Sequence, residues 1–146
     1  MEKELINLNL VQFDVEANSA DEVIEYVADL LEEDGRLLDK EQYIADVKKR
    51  EASDSTVIGF GAATPHAKSM GVQDASLTFI RLKNPIQWAG EEVSMVFQIA
   101  ASAEGQVERH LEILAQLFRK LIYDDFRDQL IEAEDKQVIV DLLKGF

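Results

Sequence analysis

The apolar segment Val93–Ile99 constrains the fold of this chain more than any other part of the sequence. Apart from Ser94 and Gln98 its side chains are apolar, and such a run is typical of a central strand that is buried on both faces. Even when the segment is extended to Ala103, it has only about half of the roughly 20 residues that a membrane-spanning helix needs. The segment therefore predicts a buried sheet that helices must cover.

Two helices are predicted on the N-terminal side of this strand. Ser19 and Glu22 form a capping box at the start of an apolar helical pattern, and Gly35 is a suitable stop. Asp39 can cap a second helix that ends in the basic cluster 48–50.

Three helices are predicted on the C-terminal side. The first opens at Gly105 and reaches Ile122, a second covers about 125–133, and the last covers 135–143. The apolar residues that recur at helical spacing in the first of these are Val107, Leu111, Leu114, Phe118, Leu121 and Ile122.

Further strands are predicted at Val11–Val15, which alternates apolar and polar residues, and at Leu77–Leu82. The segments Asn84-Pro85 and Trp88-Ala89-Gly90 indicate breaks, and the segment 53–67 is a strand or turn region punctuated by glycines. Strands and helices interleave along the chain, so the predicted class is α/β, a mixed sheet flanked by helices. Long connections favour parallel pairing for some strands, and the region 77–99 suits antiparallel pairing.

Composition limits the classes of function. The 146 residues correspond to about one domain, and we expect a single domain over 1–146. Fifteen basic and 29 acidic residues give a net charge of −14, which argues against nucleic acids and anionic membranes because such partners require Lys and Arg. The chain has no cysteine, which excludes disulfides, thiolate zinc sites and a cysteine nucleophile. No signal or membrane-inserting pattern is found, and we expect a cytoplasmic protein.

His66 is the first candidate for chemistry. It follows Pro65 in a segment with Gly59, Gly61 and small neighbours. Proline restricts its own φ and the conformation of Thr64, so the histidine is rigidly placed with space around its ring. The alternative interpretation is a turn histidine that only bonds a backbone carbonyl.

His110 and Arg50 are the other candidates. His110 borders the apolar stripe of the long helix, and taken alone this position favours a half-buried packing residue. Arg50 could hold a phosphoryl group with bidentate hydrogen bonds or merely complement the end of its helix; Lys68 is a weaker candidate for the same anion. Two histidines without ligand spacing argue against a metal site, because zinc needs three or four protein ligands.

The ordered set of these residues resembles a known family. Arg50-Glu51, Ser55-Thr56, Thr64-Pro65-His66-Ala67, the strand Val93–Ile99 and then His110-Leu111 are similar to the enzyme IIA domain of the bacterial phosphoenolpyruvate-dependent sugar phosphotransferase system, in its fructose/mannitol/galactitol/ascorbate-like branch. The sequence departs from the family pattern at Ala62 and Thr64, where the family usually has aliphatic residues.

The resemblance implies a mannitol-type IIA sandwich that works as a phosphotransferase component without a cofactor or metal. In the family the Pro-His histidine accepts the phosphoryl group, here on His66 as a tele-phosphohistidine. His110 would then donate a hydrogen bond to the phosphate and Arg50 would neutralise its charge. The donor would be the phosphocarrier protein HPr and the recipient a IIB component. Because this chain has no cysteine and both histidines are assigned, we expect IIB and the membrane component IIC to be other polypeptides.

Two other functions remain open from the sequence. A regulatory relative would sense phosphorylation and bind other proteins without feeding a transporter, and the net charge of −14 would suit a basic partner in either case. The second alternative is a domain that keeps the fold while His66 is unreactive.

Overall fold

A computed structural model describes residues 3–105 and 108–146, and in these ranges the chain forms one six-stranded mixed sheet with five α-helices. The strands are β1 (Val11–Val15), β2 (Val57–Gly59), β3 (Ala62–Ala63), β4 (His66–Ser69), β5 (Ser76–Trp88) and β6 (Glu91–Ser102). The helices are α1 (Ala20–Glu33), α2 (Lys40–Ser53), α3 (Arg109–Leu121), α4 (Asp124–Glu132) and α5 (Lys136–Leu143), and a short 3-10 helix covers Leu8–Leu10. The predicted α/β class with a mixed sheet is confirmed.

Strand β6 is the centre of the sheet. The strand order is β1-β5-β6-β3-β2, and β4 also pairs with β6. Strands β1 and β5 are parallel, β5 and β6 are antiparallel, and β3 and β4 both run parallel to β6. Consecutive residues from Met95 to Ala101 are buried, so both faces of β6 are covered, as the apolar run predicts.

The predicted break at Asn84-Pro85 is wrong, because β5 continues through it to Trp88. The pairing with β6 shifts in register between Arg81 and Ile86, and Pro85 is tolerated in this irregular part of the ladder because no regular N–H bond is required there. The second predicted break is a tight turn at Ala89 and Gly90, both with positive φ, which joins β5 to β6.

The predicted helix starts in the N-terminal half are confirmed. The Ser19 hydroxyl accepts a hydrogen bond from the Glu22 amide, and the Asp39 carboxylate accepts one from the Gln42 amide. Helix α1 ends before Gly35, which has a φ of 71°, as a helix stop requires. Helix α2 extends to Ser53, beyond the predicted end at residue 50.

The predicted face of the long helix is partly wrong. Helix α3 begins at Arg109 rather than Gly105, and Val107 lies outside the described residues. Leu111, Phe118 and Ile122 are exposed. The buried residues of α3 are His110, Ile113, Leu114, Leu117 and Leu121. The exposed apolar residues follow the same spacing as the buried ones, and only packing on the sheet distinguishes the two sets.

A buried polar contact attaches α2 to the central strand. The Tyr43 hydroxyl donates to the carbonyl oxygen of Ile99 at 3.3 Å and accepts from the Gln98 amide at 3.2 Å. Ile99 lies opposite His66 in the β4–β6 ladder, so this contact fixes the helix that carries Arg50 relative to the strand that carries His66. Among the described residues no helix is both long and apolar enough to cross a membrane.

Candidate functional site

His66 is the first residue of β4 and is only 8% exposed. Its ring nitrogen Nδ1 lies 2.8 Å from the backbone carbonyl oxygen of Thr64. A carbonyl only accepts, so Nδ1 carries the proton and Nε2 carries the lone pair of the neutral ring. The neighbouring backbone is also held, because the Ile99 amide donates to the carbonyl of Pro65 at 3.0 Å.

The backbone before His66 is shaped by the hairpin of β2 and β3. Phe60 and Gly61 form its turn with φ angles of 57° and 71°, a conformation that favours glycine. At the end of the hairpin, the Thr64 amide donates to the carbonyl of Thr56 at 3.0 Å. The rigidity predicted for His66 from Pro65 therefore has a second source in the pairing of Thr64 with Thr56.

His110 is brought beside His66 by the first turn of α3. The two ring centroids are 5.6 Å apart with an interplanar angle of 28°, a stacked arrangement. His110 is 9% exposed and is therefore buried, as a packing residue would be. It also adjoins His66, the candidate nucleophile. The structure thus brings together the two histidines that the sequence singled out.

Arg50 lies in the last turn of α2 and lines the same cavity. Its Nη1 donates to the backbone carbonyl of Asp54 at 2.8 Å. This contact agrees with the interpretation of Arg50 as a cation that complements the end of its helix. It also orients the guanidinium at the cavity wall, so the two interpretations of Arg50 are compatible.

The cavity has a volume of about 550 Å³ and a basic lining beside the histidines. Lys68 lines it, as anticipated, together with Lys49. A larger cavity of about 670 Å³ near Asn84 has neither a histidine nor a basic residue in its lining. The lining rather than the volume therefore identifies the first cavity as the place for anion chemistry.

The carboxylate in this cavity was not predicted from the sequence. Asp46 lines it and accepts hydrogen bonds from the Ser69 hydroxyl at 2.6 Å and the Gln42 amide at 3.0 Å. The signal was present, because Asp46 is four residues before Arg50 and such residues share a helix face. Both bonds hold the carboxylate among neutral donors at the edge of the basic surface.

The environment of His66 lowers its pKa below the ordinary value of 6.5. Burial is the largest cause, because it disfavours the charged ring, and the nearby Arg50 cation acts in the same direction. The bond to the Thr64 carbonyl and the charge of Glu51 oppose this change. The net result favours the neutral imidazole, which is the nucleophilic form.

No metal site is found in the part of the chain that the structure describes, where no group of three or more His, Cys, Asp or Glu side chains could hold an ion. The arrangement of the cavity suits a different chemistry. A neutral imidazole with a free lone pair, a second imidazole and a guanidinium surround one space that an oxyanion can enter.

Comparison with known proteins places the chain in a family. The sequence model of the family described as "Phosphoenolpyruvate-dependent sugar phosphotransferase system, EIIA 2" matches residues 4–145. The chain belongs to this EIIA 2 family. The resemblance seen in the sequence is thereby confirmed.

Two relatives show how much of their length this chain shares. It is 34% identical over 143 residues to the PTS system fructose-specific EIIABC component of Bacillus subtilis (strain 168), covering 96% of this chain and 22% of that protein. It is 32% identical over 139 residues to the PTS system fructose-specific EIIA component of Haloferax volcanii, covering 93% of this chain and 90% of that protein. The chain thus spans about a fifth of the first relative and most of the second.

Solved structures show the same fold. The nitrogen regulatory protein IIA-Ntr of Neisseria meningitidis has a TM-score of 0.81 and 25% identity, covering 95% of this chain and 96% of that one. The mannitol enzyme IIA of Escherichia coli, in its complex with phosphorylated mannitol enzyme IIB, has a TM-score of 0.80 and 19% identity, covering 97% of this chain and 98% of that one. The expected mannitol-type IIA sandwich is therefore correct.

Proposed function

We propose that this EIIA 2 domain, residues 1–146, is a phosphoryl carrier in which Nε2 of His66 accepts the phosphoryl group. The observation that carries this proposal is the 2.8 Å contact between Nδ1 of His66 and the Thr64 carbonyl, because it leaves Nε2 unprotonated. The acid–base state of the ring supports the same role, since burial lowers the His66 pKa.

The proposed step is an in-line displacement at phosphorus. Nε2 of His66 forms the new P–N bond while the P–N bond to the donor histidine breaks, and the electron pair of the broken bond stays with the donor nitrogen. The Nδ1 proton of His66 remains in place, and the Thr64 carbonyl stabilises the positive charge that the phosphorylated ring acquires. Such transfers depend on positioning and on neutralising charge at the equatorial oxygens.

Arg50 and His110 are proposed to supply that neutralisation. The Arg50 guanidinium has N–H donors in addition to the one that binds the Asp54 carbonyl, and these can bind phosphoryl oxygens in bidentate fashion. The His110 ring, stacked 5.6 Å from His66, would donate a ring N–H to a phosphoryl oxygen.

The partners of the proposed reaction are the phosphocarrier HPr as donor and a IIB component as recipient. The mannitol IIA domain, which has the same fold, is known in complex with phosphorylated IIB. This chain has no cysteine and two histidines, so the next acceptor must belong to the IIB component. The proposal implies a role in sugar uptake at the cytoplasmic side of a membrane component.

The test is phosphoryl transfer from phosphoenolpyruvate through enzyme I and HPr to the purified protein. We expect one acid-labile phosphate, and mapping under alkaline conditions should place it on His66. The variant His66→Ala should take up none, whereas His110→Ala, which keeps the acceptor, should still be phosphorylated on His66 but more slowly. Continued phosphorylation of His66→Ala would contradict the proposal.

A regulatory role is the second candidate, favoured by the 25% identity to a protein described as nitrogen regulatory. In that case His66 would still be phosphorylated, but no IIB component would receive the group. Adjacent genes for IIB and IIC components, together with transfer from the phosphorylated protein to that IIB, would favour transport. Stable phosphate on His66 in the presence of the neighbouring IIB would favour regulation.

A further inference from the structure

Glu51 follows Arg50 in sequence, but its carboxylate is engaged with neighbouring strands and it is not part of the cavity lining. Its Oε2 accepts from the Thr56 amide at 2.9 Å and from the Trp88 indole N–H at 3.1 Å. Its Oε1 accepts from the Thr56 hydroxyl at 2.6 Å. One carboxylate therefore fixes the start of the β2–β3 hairpin to the end of α2 and to the end of β5.

Thr56 connects Glu51 to the residue that follows the hairpin, Thr64. Its carbonyl accepts from both the amide of Thr64, at 3.0 Å, and the hydroxyl of Thr64, at 3.3 Å. Thr56 and Thr64 are 5% and 2% exposed, so water does not compete with these bonds. The second of these bonds depends on the Thr64 hydroxyl, which an aliphatic side chain could not replace.

The last link is the carbonyl of Thr64, which accepts from Nδ1 of His66 at 2.8 Å. A continuous series of short polar contacts thus leads from the Glu51 carboxylate through Thr56 and Thr64 to the His66 ring. The backbone amide and carbonyl of Thr56 both form hydrogen bonds in this series, and so do those of Thr64. A bond that holds one of these residues therefore also places the group that forms the next bond.

We propose that Glu51 is a positioning residue for phosphoryl transfer, which holds the Thr64 carbonyl in place and thereby keeps His66 in the tautomer with Nδ1 protonated and Nε2 free. The proposal rests on the proposed function of His66. A misplaced carbonyl would allow the proton to move to Nε2, and the nucleophilic lone pair would then face the backbone instead of the cavity.

The charge of Glu51 gives a second, separable effect. It raises the pKa of His66, in opposition to burial and to Arg50. The other charged or titratable groups around the ring are Lys49 and Asp46 of α2, Lys68 of β4 and His110 of α3, and none of these changes in a Glu51 variant.

Two substitutions separate position from charge. In Glu51→Gln the amide oxygen can take the place of Oε2 and accept from the Thr56 amide and the Trp88 indole N–H. The amide nitrogen can take the place of Oε1 and donate to the Thr56 hydroxyl, once that hydroxyl has rotated. This variant keeps the anchor and loses the charge. Glu51→Ala loses both. Glu41→Gln is the matched control, because Glu41 is an exposed glutamate in the first turn of the same helix.

The measurements are the ring nitrogen shifts of His66 by NMR, its titration with pH, and the rate of phosphorylation by phospho-HPr. For Glu51→Ala we expect a mixture of tautomers and a rate about tenfold lower, which corresponds to about 1.4 kcal/mol. For Glu51→Gln we expect the single tautomer, a rate within about twofold of the unchanged chain at pH 7.5, and a lower His66 pKa. Glu41→Gln should change none of the three.

The proposal is overturned if folded Glu51→Ala keeps the single Nδ1–H tautomer and the unchanged rate, because Glu51 would then only satisfy Thr56 and Trp88. If Glu51→Ala does not fold, Glu51→Asp decides, since the shorter side chain keeps the charge but withdraws the carboxylate from the Thr56 amide and hydroxyl. A lowered Nδ1–H population in that variant supports the proposal, and an unchanged one refutes it. The NMR measurement needs no phosphate, so failure of the phosphoryl relay in the unchanged chain would be recognised separately.

Discussion

The role of Arg50 gives the sharpest quantitative prediction. Replacing Arg50 by alanine removes the guanidinium that lines the cavity beside His66 and the bond to the Asp54 carbonyl. We expect the fold to remain, because that carbonyl is at a helix end where water can replace the lost donor. We expect phosphorylation of His66 to slow and the His66 pKa to rise, since Arg50 lowers it.

The magnitude follows from the place of the guanidinium. A hydrogen bond to a charged group contributes about 1.5–3 kcal/mol, and Arg50 is only half-buried, so the low end of that range applies. A loss of about 1.5–2 kcal/mol corresponds to a rate roughly 10- to 30-fold lower. Arg50→Lys keeps the charge and loses the planar pair of donors, so its rate should lie between those of the unchanged chain and Arg50→Ala.

The assay is single-turnover transfer from phospho-HPr, with the His66 titration followed by NMR in the same variants. Lys48→Ala is the matched control, because Lys48 is on the same helix but pairs with Glu25 at 3.0 Å and does not line the cavity. Arg50→Ala with a rate within twofold of the unchanged chain and an unchanged His66 pKa would refute the reasoning. A comparable loss in Lys48→Ala would show that net charge, and not the position of Arg50, matters.

Three further predictions concern stability and pH. Tyr43→Phe should lower the free energy of unfolding by about 1–3 kcal/mol, measured by urea denaturation, because it leaves buried partners such as the Gln98 amide without their hydroxyl. Gly71→Ala should destabilise by about 2 kcal/mol or more, measured in the same way, because the new Cβ would lie 2.4 Å from the carbonyl oxygen of Asp39. The rate of phosphoryl acceptance should fall on acidification with a midpoint below pH 6.5, because protonation removes the His66 lone pair and the pKa is lowered from 6.5.

Each of these has a contradicting result. Tyr43→Phe with unchanged stability would mean that water replaces the hydroxyl, and Tyr26→Phe, on a half-buried tyrosine, is its control. Gly71→Ala that unfolds at the same urea concentration would show that the backbone near residue 39 moves freely. A rate that already falls between pH 8 and 7 would mean that protonation of another group, and not of His66, causes the loss of activity on acidification.

Local signals in the sequence predicted the elements well. Ser19 and Asp39 cap helices where they were expected to, because a capping bond joins residues only three positions apart. The strand Val93–Ile99 was identified by its apolar run alone, since a strand covered on both faces has no exposed position. The local signal failed at Pro85, where an irregular ladder accommodates a residue that usually ends a strand.

The sequence by itself determined the class of the fold, the helix starts, the central strand and the identity of His66, His110 and Arg50 as candidates, because these follow from short-range periodicity and from an ordered motif. Only the tertiary structure decided which face of α3 is buried, that the two imidazoles stack, and that the carbonyl of Thr64 holds Nδ1 of His66. These features join residues far apart in the chain or depend on the exact course of the backbone. They are set by the register of β4 on β6 and by the packing of helices on the sheet, which no local pattern encodes.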